Sequence, residues 1–275
     1  MSPEHAIEEL SVADLSSNVA LSRSVGWKDV DSDWRVLHAA ARVVGIREGE
    51  RLVAQGALAD YGSAASLAKM VVAPDFQRHG MGRRVMEHLL AAPLARGIPI
   101  GLCATEFGRP LYEQAGFRAS GEVVILFGTP NVGTTPLDSI VPLSNAERAI
   151  DVERQFVACD RSGMLRARMG EGDSAFELAG SEPGFVLASR FEGAALVGPL
   201  LAANEDGARS LAEAIFRALP GPIRIDVPVQ LAGFRAWLVE RGLKEHSLRV
   251  EMARGASAMP WQVPQRFALG TQAWG

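Results

Sequence analysis

Apolar residues recur along the first 128 positions with two alternating periods, and most changes of period fall at an acidic residue, a glycine or a proline. Ile7–Val12 reads as a short strand. Leu15, Val19, Leu21 and Val25 then follow Asp14 at roughly helical spacing, with Asp14 as the N-cap. A second short helix, Asp33 to Ala40, starts at Asp31 or Ser32 and puts Trp34 and Leu37 on one face. Arg42–Ile46 and Leu52–Leu58 read as strands around Glu48-Gly49-Glu50, which is a hairpin signal. Ser66–Val72 is the next strand; the chain turns at Pro74, passes Gly80 and Gly82, and becomes a helix from Arg83 to about Leu94. Gly97 and Pro99 stop that helix before a strand over Ile98–Cys103. The order so far is β-α-α-β-β-β-α-β. A short helix ending at Gly116, a C′ glycine, then leads into a strand that begins at Phe117.

Residues 128–142 hold three prolines and two glycines, the composition of a linker. Beyond it the pattern repeats. Asn145–Cys159 reads as helical, Phe185–Ser189 and Ala194–Leu201 as strands, and Gly207–Leu219 as a helix. Ile223–Val227 answers Ile98–Cys103, and Gly242-Leu243 before the strand Ser247–Ala253 answers Gly116-Phe117. The expected organisation is therefore a first domain over 1–128, a linker over 129–143, and a second copy of the same fold over 144–275. The segment Met259–Gly275 carries Trp261, Phe267, Leu269 and Trp274 among prolines and glycines. It is too apolar for a free tail, so it is expected to pack back as a strand or extended segment.

Composition narrows the class. At 275 residues the chain exceeds the ~100–200 residues of one typical domain. Its 48% hydrophobic content suffices for packed cores, and its net charge of -4 argues against a nucleic-acid surface. Cys103 and Cys159 stand far apart, so neither a disulfide framework nor a zinc site is expected, and no histidine spacing suggests another metal site. No signal peptide and no apolar run of membrane-spanning length is read, which makes a reducing cytoplasm the expected location.

The candidate chemistry lies where the strand Ser66–Val72 meets the helix. Gly80 and Gly82 let backbone approach a ligand closely, and the N–H groups of a helix start attract an anion such as phosphate. Arg78, Arg83 and Arg84 cluster there. No Walker loop G-x-x-x-x-G-K-[ST] is present, and the third glycine of a dinucleotide fingerprint is replaced by Val85. The pattern Gln77-x-x-Gly80-x-Gly82 after an apolar strand instead resembles the acyl-CoA loop of the GNAT N-acetyltransferases. Leu111-Tyr112-Glu113-Gln114-Ala115-Gly116-Phe117 is similar to the L-Y-E-x-x-G-F signature of that family.

The resemblance implies an α+β fold of two tandem GNAT-like domains, each a mixed, mostly antiparallel sheet flanked by helices. It implies acetyl-CoA as co-substrate. Gln77, Arg78, His79, Gly80, Met81, Gly82 and Arg83 would hold its diphosphate, and the backbone of Met70, Val71 and Val72 would pair with its pantetheine amides as one strand edge pairs with another. A backbone N–H near Val72 would polarise the thioester carbonyl. Tyr112 would protonate the departing thiolate as general acid; Glu106 or Asp60 is placed to act as base, and a water relay would need neither. Cys103 lies inside an apolar strand and is expected to be a core thiol rather than a nucleophile.

The second half reads Asn204-Glu205-Asp206-Gly207 where a diphosphate would sit, and Leu238 where the first half has Tyr112. Two carboxylates repel an anion, so a single active site per chain is expected. The acceptor is expected to be the primary amine of a small molecule, with Trp27 and Trp34 read as core residues or else as its lining, and the chain a monomer or homodimer. A non-catalytic acyl-CoA sensor, or transfer to a protein N-terminus or lysine, remain alternatives.

Overall fold

A computed structural model describes residues 5–134, 137–172, 174–191 and 193–274. In the first half, β1 (Ile7–Glu9) precedes helices α1 (Leu15–Ser24) and α2 (Asp31–Ala40). The hairpin β2 (Arg42–Glu48) and β3 (Arg51–Asp60) leads to β4 (Ala65–Val72), α3 (Met81–Ala95), β5 (Ile100–Ala104), α4 (Arg109–Gln114) and β6 (Arg118–Gly128). The second half repeats this order. It runs β7 (Ile140–Pro142), α5 (Ala146–Glu153), α6 (Ser162–Gly170), β8 (Ser174–Leu178), β9 (Gly184–Phe191) and β10 (Ala194–Ala202). It ends with α7 (Glu205–Ala218), β11 (Ile223–Pro228), α8 (Ala232–Glu240), β12 (Lys244–Arg254) and a short β13 (Arg266–Ala268).

Several boundaries differ from the sequence reading. The helical stretch expected over Asn145–Cys159 is shorter than read: the Asn145 side chain caps α5 by accepting from the Arg148 N–H, α5 stops at Glu153, and a further helix, α6, starts only at Ser162. Strand β8 was not anticipated, and β7 lies inside the proline-rich stretch expected as linker. Helix α3 starts at Met81, two residues ahead of Arg83, because Gly80 supplies the left-handed turn that opens it.

The strands form one mixed sheet in the order β1-β2-β3-β4-β5-β12-β6-β11-β10-β9-β8-β7, with β13 added beside β10. Most pairs are antiparallel; β4–β5 and β10–β11 are parallel. The order has an unexpected crossing. The long strand β12 near the end of the second half lies against β5, and the last strand of the first half, β6, lies against β11. β12 and β6 pair with each other along the seam from Lys244↔Phe127 to Ala253↔Arg118. Each half thus closes the open edge of the other, and two sheets become one.

Helix α3 covers one face of β2–β4, and α1 and α2 cover the other. The α1 face is fixed by a buried polar group. Gln55 on β3 accepts from Asn18 Nδ2 at 2.9 Å and donates to the Ser22 hydroxyl at 3.1 Å. Helix α2 packs on α6, so apolar residues of the second half, including Ile150 and Leu165, share the core of the first. The C-terminal segment packs back as expected, with Trp261 and Trp274 buried and Trp261 edge-on to Tyr61. Among the described residues no helix is long and apolar enough to cross a membrane.

Candidate active site at the splayed strands

β4 and β5 are paired at Ala65↔Ile100 and Ser66↔Gly101, and among the described residues no ladder pair joins them further along. β4 continues to Val72, so one edge of its C-terminal part carries backbone groups with no strand beside them. The strand is also bulged there. The β3–β4 register passes from Ala57↔Ala68 to Gln55↔Val71, which sets Lys69 and Met70 against Gly56 alone. A Cβ at Gly56 would lie 2.5 Å from Met70 Sδ and 3.0 Å from Leu89 and Val85, so a larger residue there would push the Met70 side chain aside.

Lys69 sits at the bulge with φ of 53°, a left-handed conformation that costs a lysine energy. Its ammonium is held 2.6 Å from Asp29 Oδ1 and 5.7 and 5.8 Å from the Trp27 and Trp34 rings. Ion pair and aromatic rings together offset the strain. The sequence reading passed over Lys69 and Asp29. The available signal was a lysine within an otherwise apolar strand. Trp34 is core, fully buried, whereas Trp27 is partly exposed over Lys69.

Beyond Val72 the chain makes a short 3-10 turn over Pro74–Phe76, pinned by a bidentate Arg51–Asp75 pair. Gln77 folds back, its Nε2 donating to the Val72 carbonyl at 3.1 Å. Arg78 and Gly80 have φ of 66° and 77°, and the turn delivers the chain into α3. No side chain caps α3, so its first-turn N–H groups are left without a side-chain acceptor, donors of the kind that attract an anion. Arg78, His79 and Arg83 are exposed around that helix start, with Arg83 donating to Gln114 Oε1 at 2.8 Å. Arg84 turns away to the His5 carbonyl. The Met81 side chain is buried, so it can offer a ligand only its backbone. A Cβ at Gly82 would stand 3.3 Å from Val72 and 3.8 Å from Leu111, which shows how closely α3 approaches β4 and α4.

Nothing lies within 4 Å of a Cβ built at Gly80, so its φ of 77° alone demands glycine. Gly80→Ala is expected to cost about 1–2 kcal/mol, read as a lower midpoint in a denaturant titration with unchanged slope.

Tyr112 on α4 packs edge-on to Phe117, with ring centroids 6.1 Å apart. Burial, reinforced by the neighbouring Cys103, pushes its hydroxyl above the usual phenol range. Burial likewise raises the Cys103 thiol, which therefore keeps its proton and is a poor nucleophile. Cys103, Ser66, Glu251, Trp261 and Gln272 border a cavity of about 10 Å³ where β4 and β5 begin to part, room for about one water. Glu106 is exposed on the loop between β5 and α4, at the same end of the sheet. Asp60 is not: it pairs in register with Ala65 at the start of β4 and binds Arg96, at the far end from the cleft. A wider concavity of about 450 Å³ is bordered by Arg23, Val30, Asp31, Ser32, Arg35 and Arg190.

The second half lacks these features at matching positions. The Phe117 N–H donates to the Tyr112 carbonyl at 3.0 Å, and the Leu243 N–H to the Leu238 carbonyl at 3.1 Å, so Leu238 stands where Tyr112 does. The start of α7 is capped by Asn204, which accepts from the Gly207 N–H.

Comparison with known proteins agrees with this layout. Residues 39–119 match one acetyltransferase (GNAT) domain family and residues 149–268 match another. The chain is 26% identical over 238 residues to an uncharacterised N-acetyltransferase, YitH, of Bacillus subtilis, covering 83% of this chain and 84% of that one. It superposes on the crystal structure of a candidate acetyltransferase from Pyrococcus horikoshii with a TM-score of 0.85 at 19% identity, covering 100% of this chain and 97% of that one. A tandem GNAT protein of the clavulanic acid biosynthesis pathway gives a TM-score of 0.63 at 16% identity, over 91% of this chain and 98% of that one. At such identities the structural likenesses speak for the fold, while the two domain matches, one in each half, speak for the family. The chain belongs to the GNAT acetyltransferases, in tandem form, and is an acyltransferase.

Proposed function

We propose that the first half transfers an acetyl group from acetyl-CoA to the primary amine of a small molecule. The observation that carries this reading is the unpaired edge of β4 at Met70–Val72, lying between the uncapped start of α3 and Tyr112. The edge offers alternating N–H and C=O groups to the amides of a pantetheine arm. The first-turn N–H groups of α3, with Arg78 and Arg83, offer charge and hydrogen bonds to a diphosphate. The backbone of Gln77, His79, Gly80, Met81 and Gly82 shapes that seat. These residues fit the co-substrate.

In this mechanism the neutral amine attacks the thioester carbonyl. The bulge at Lys69–Met70 presents backbone N–H toward the oxygen that gains charge. The amine loses a proton, through water or to Glu106, as the C–N bond forms and the C–S bond breaks. Tyr112, whose hydroxyl holds its proton, supplies it to the departing thiolate. The Lys69–Asp29 pair fixes the bulge. The concavity of about 450 Å³ beside α1 and α2 is of a size to take a small acceptor, which favours a small amine over a protein.

The test is calorimetric titration with acetyl-CoA, followed by a free-thiol assay across a panel of small amines and a lysine peptide. Binding with thiol release for at least one small amine is expected. Tight binding without release for any acceptor would make the chain a sensor, and release only with the peptide would reassign the acceptor.

A further inference from the structure

The second half contains the same splayed pair of strands, and it is not empty. β10 and β11 run parallel from Ala195↔Ile223 to Val197↔Ile225 and then separate, as β4 and β5 do. β10 is bulged at that point too: its register with β9 passes from Val197↔Ala188 to Leu200↔Val186, so Gly198 and Pro199 oppose Leu187 alone. Just past the bulge, β13 pairs antiparallel with β10, Leu200 with Ala268 and Leu201 with Arg266. The Ala202 N–H donates to the Gln265 carbonyl at 3.1 Å. On the opposite side the Leu269 N–H donates to the Asp226 carbonyl of β11 at 3.0 Å. A segment of the chain's own C-terminal region therefore bridges the gap between the two strands.

We propose that this segment, Arg266–Leu269, permanently closes a second acyl-CoA slot, occupying the place that the pantetheine arm takes in the first. The inference rests on the reading of the first half as that slot. Pantetheine and a peptide share the relevant chemistry, an extended arm carrying amide N–H and C=O groups at intervals, so a strand can substitute for it on the same edge. The fit is close. A Cβ at Gly198 would stand 1.8 Å from the Leu269 carbonyl oxygen, so the segment lies directly on the bulge. Phe267, Ala268 and Leu269 are buried. Arg266 is anchored by a bidentate pair to Glu251 at 2.8 and 2.7 Å, and Gln272 donates to Asp226 Oδ2 at 2.9 Å.

The rest of the second slot has changed with it. Asn204 satisfies the start of α7, and the Glu205 carboxylate, paired with Arg209, would stand 2.9 Å from a Cβ at Gly233, so an ion pair rather than free basic side chains fills the space between α7 and α8. Leu238 replaces the hydroxyl donor and is fully buried. The slot thus retains its backbone geometry and has exchanged a diffusible ligand for a tethered one.

Hydrogen exchange read by mass spectrometry, with and without acetyl-CoA, tests this on the intact chain. In the free protein the amides of Ala202 and Leu269 are expected to exchange at least about a hundredfold more slowly than the exposed loop at Arg78–Gly80, and acetyl-CoA is expected to leave them unchanged. Peptides spanning Met70–Gly82 should gain protection, and titration should saturate at one acetyl-CoA per chain. Rapid exchange at Leu269 in the free protein, or saturation at two with altered exchange at Ala202, would overturn the proposal. No gain at Met70–Gly82 with the tail still protected would overturn the first-half reading while supporting the closed second slot. Gly198→Ala should raise exchange at Leu269 at least about tenfold and leave β1–β3 unaffected. A folded variant with unchanged exchange would count against the contact, and if the variant does not fold, the wild-type pattern decides.

Discussion

Tyr112→Phe is expected to lower kcat by about 10²–10⁴-fold while the acetyl-CoA dissociation constant stays within about threefold. The substitution keeps the ring, so the edge-on packing against Phe117 and the close approach to Gly108, whose Cβ would stand 3.2 Å from the Tyr112 ring, are retained. It removes the one hydroxyl of α4 that faces the end of β5. Because burial raises that hydroxyl above the ordinary phenol range, it is protonated throughout neutral pH and can donate to sulfur without a prior ionisation. Loss of that donor leaves a thiolate to depart unprotonated, which affects turnover and not ground-state binding. Steady-state kinetics by thiol release, beside calorimetry, separates the two quantities. Turnover equal to wild type would remove Tyr112 from the chemistry. Cys103→Ala serves as the control: the thiol keeps its proton, so the rate should fall only through minor repacking.

The second large effect concerns stability. Glu251→Ala is expected to cost about 3–5 kcal/mol. Glu251 and Arg266 are almost wholly buried, and both carboxylate oxygens are engaged by the guanidinium. Truncating the acid leaves an arginine charge buried without compensation, which is far more costly than the modest net gain from the pair itself. Pairing Glu251→Leu with Arg266→Met should recover most of the loss, since two apolar chains of similar size avoid the desolvation penalty. Denaturant titrations of the two variants provide the measurement. A double variant as unstable as Glu251→Ala would show that packing, rather than the orphaned charge, dominates at this position.

The parts of the fold that were legible in the sequence depend on local chemistry. The turn at Gln77–Gly82 is written in glycines whose positions follow from backbone needs over six residues, and Gly116 and Gly242 mark equivalent helix ends because each takes a positive φ. The bulge at Lys69 was hidden, because it is defined by what stands opposite on β3, and nothing near Lys69 reveals that Gly56 faces two residues. The base assignment to Asp60 failed for a similar reason. Being near the end of β3 placed it close to the site along the chain, but β3 runs antiparallel to β4, so its end lies beside the start of β4. The apolar content of the C-terminal segment announced that it packs back, whereas its partner strands, β10 and β11, depend on a splay that only pairing across the sheet creates.

The exchange of β6 and β12 also sets the timing of folding on the ribosome. β5 ends at Ala104, and the strand that covers its edge begins at Lys244. With synthesis at ~5–20 residues per second, the first half waits on the order of ten seconds with that edge bare. Its neighbour in sequence, β6, emerges early but pairs with strands that also arrive late. A nascent chain therefore carries the bare edge of β5, with its unpaired backbone groups, until β12 has emerged and folded back onto it.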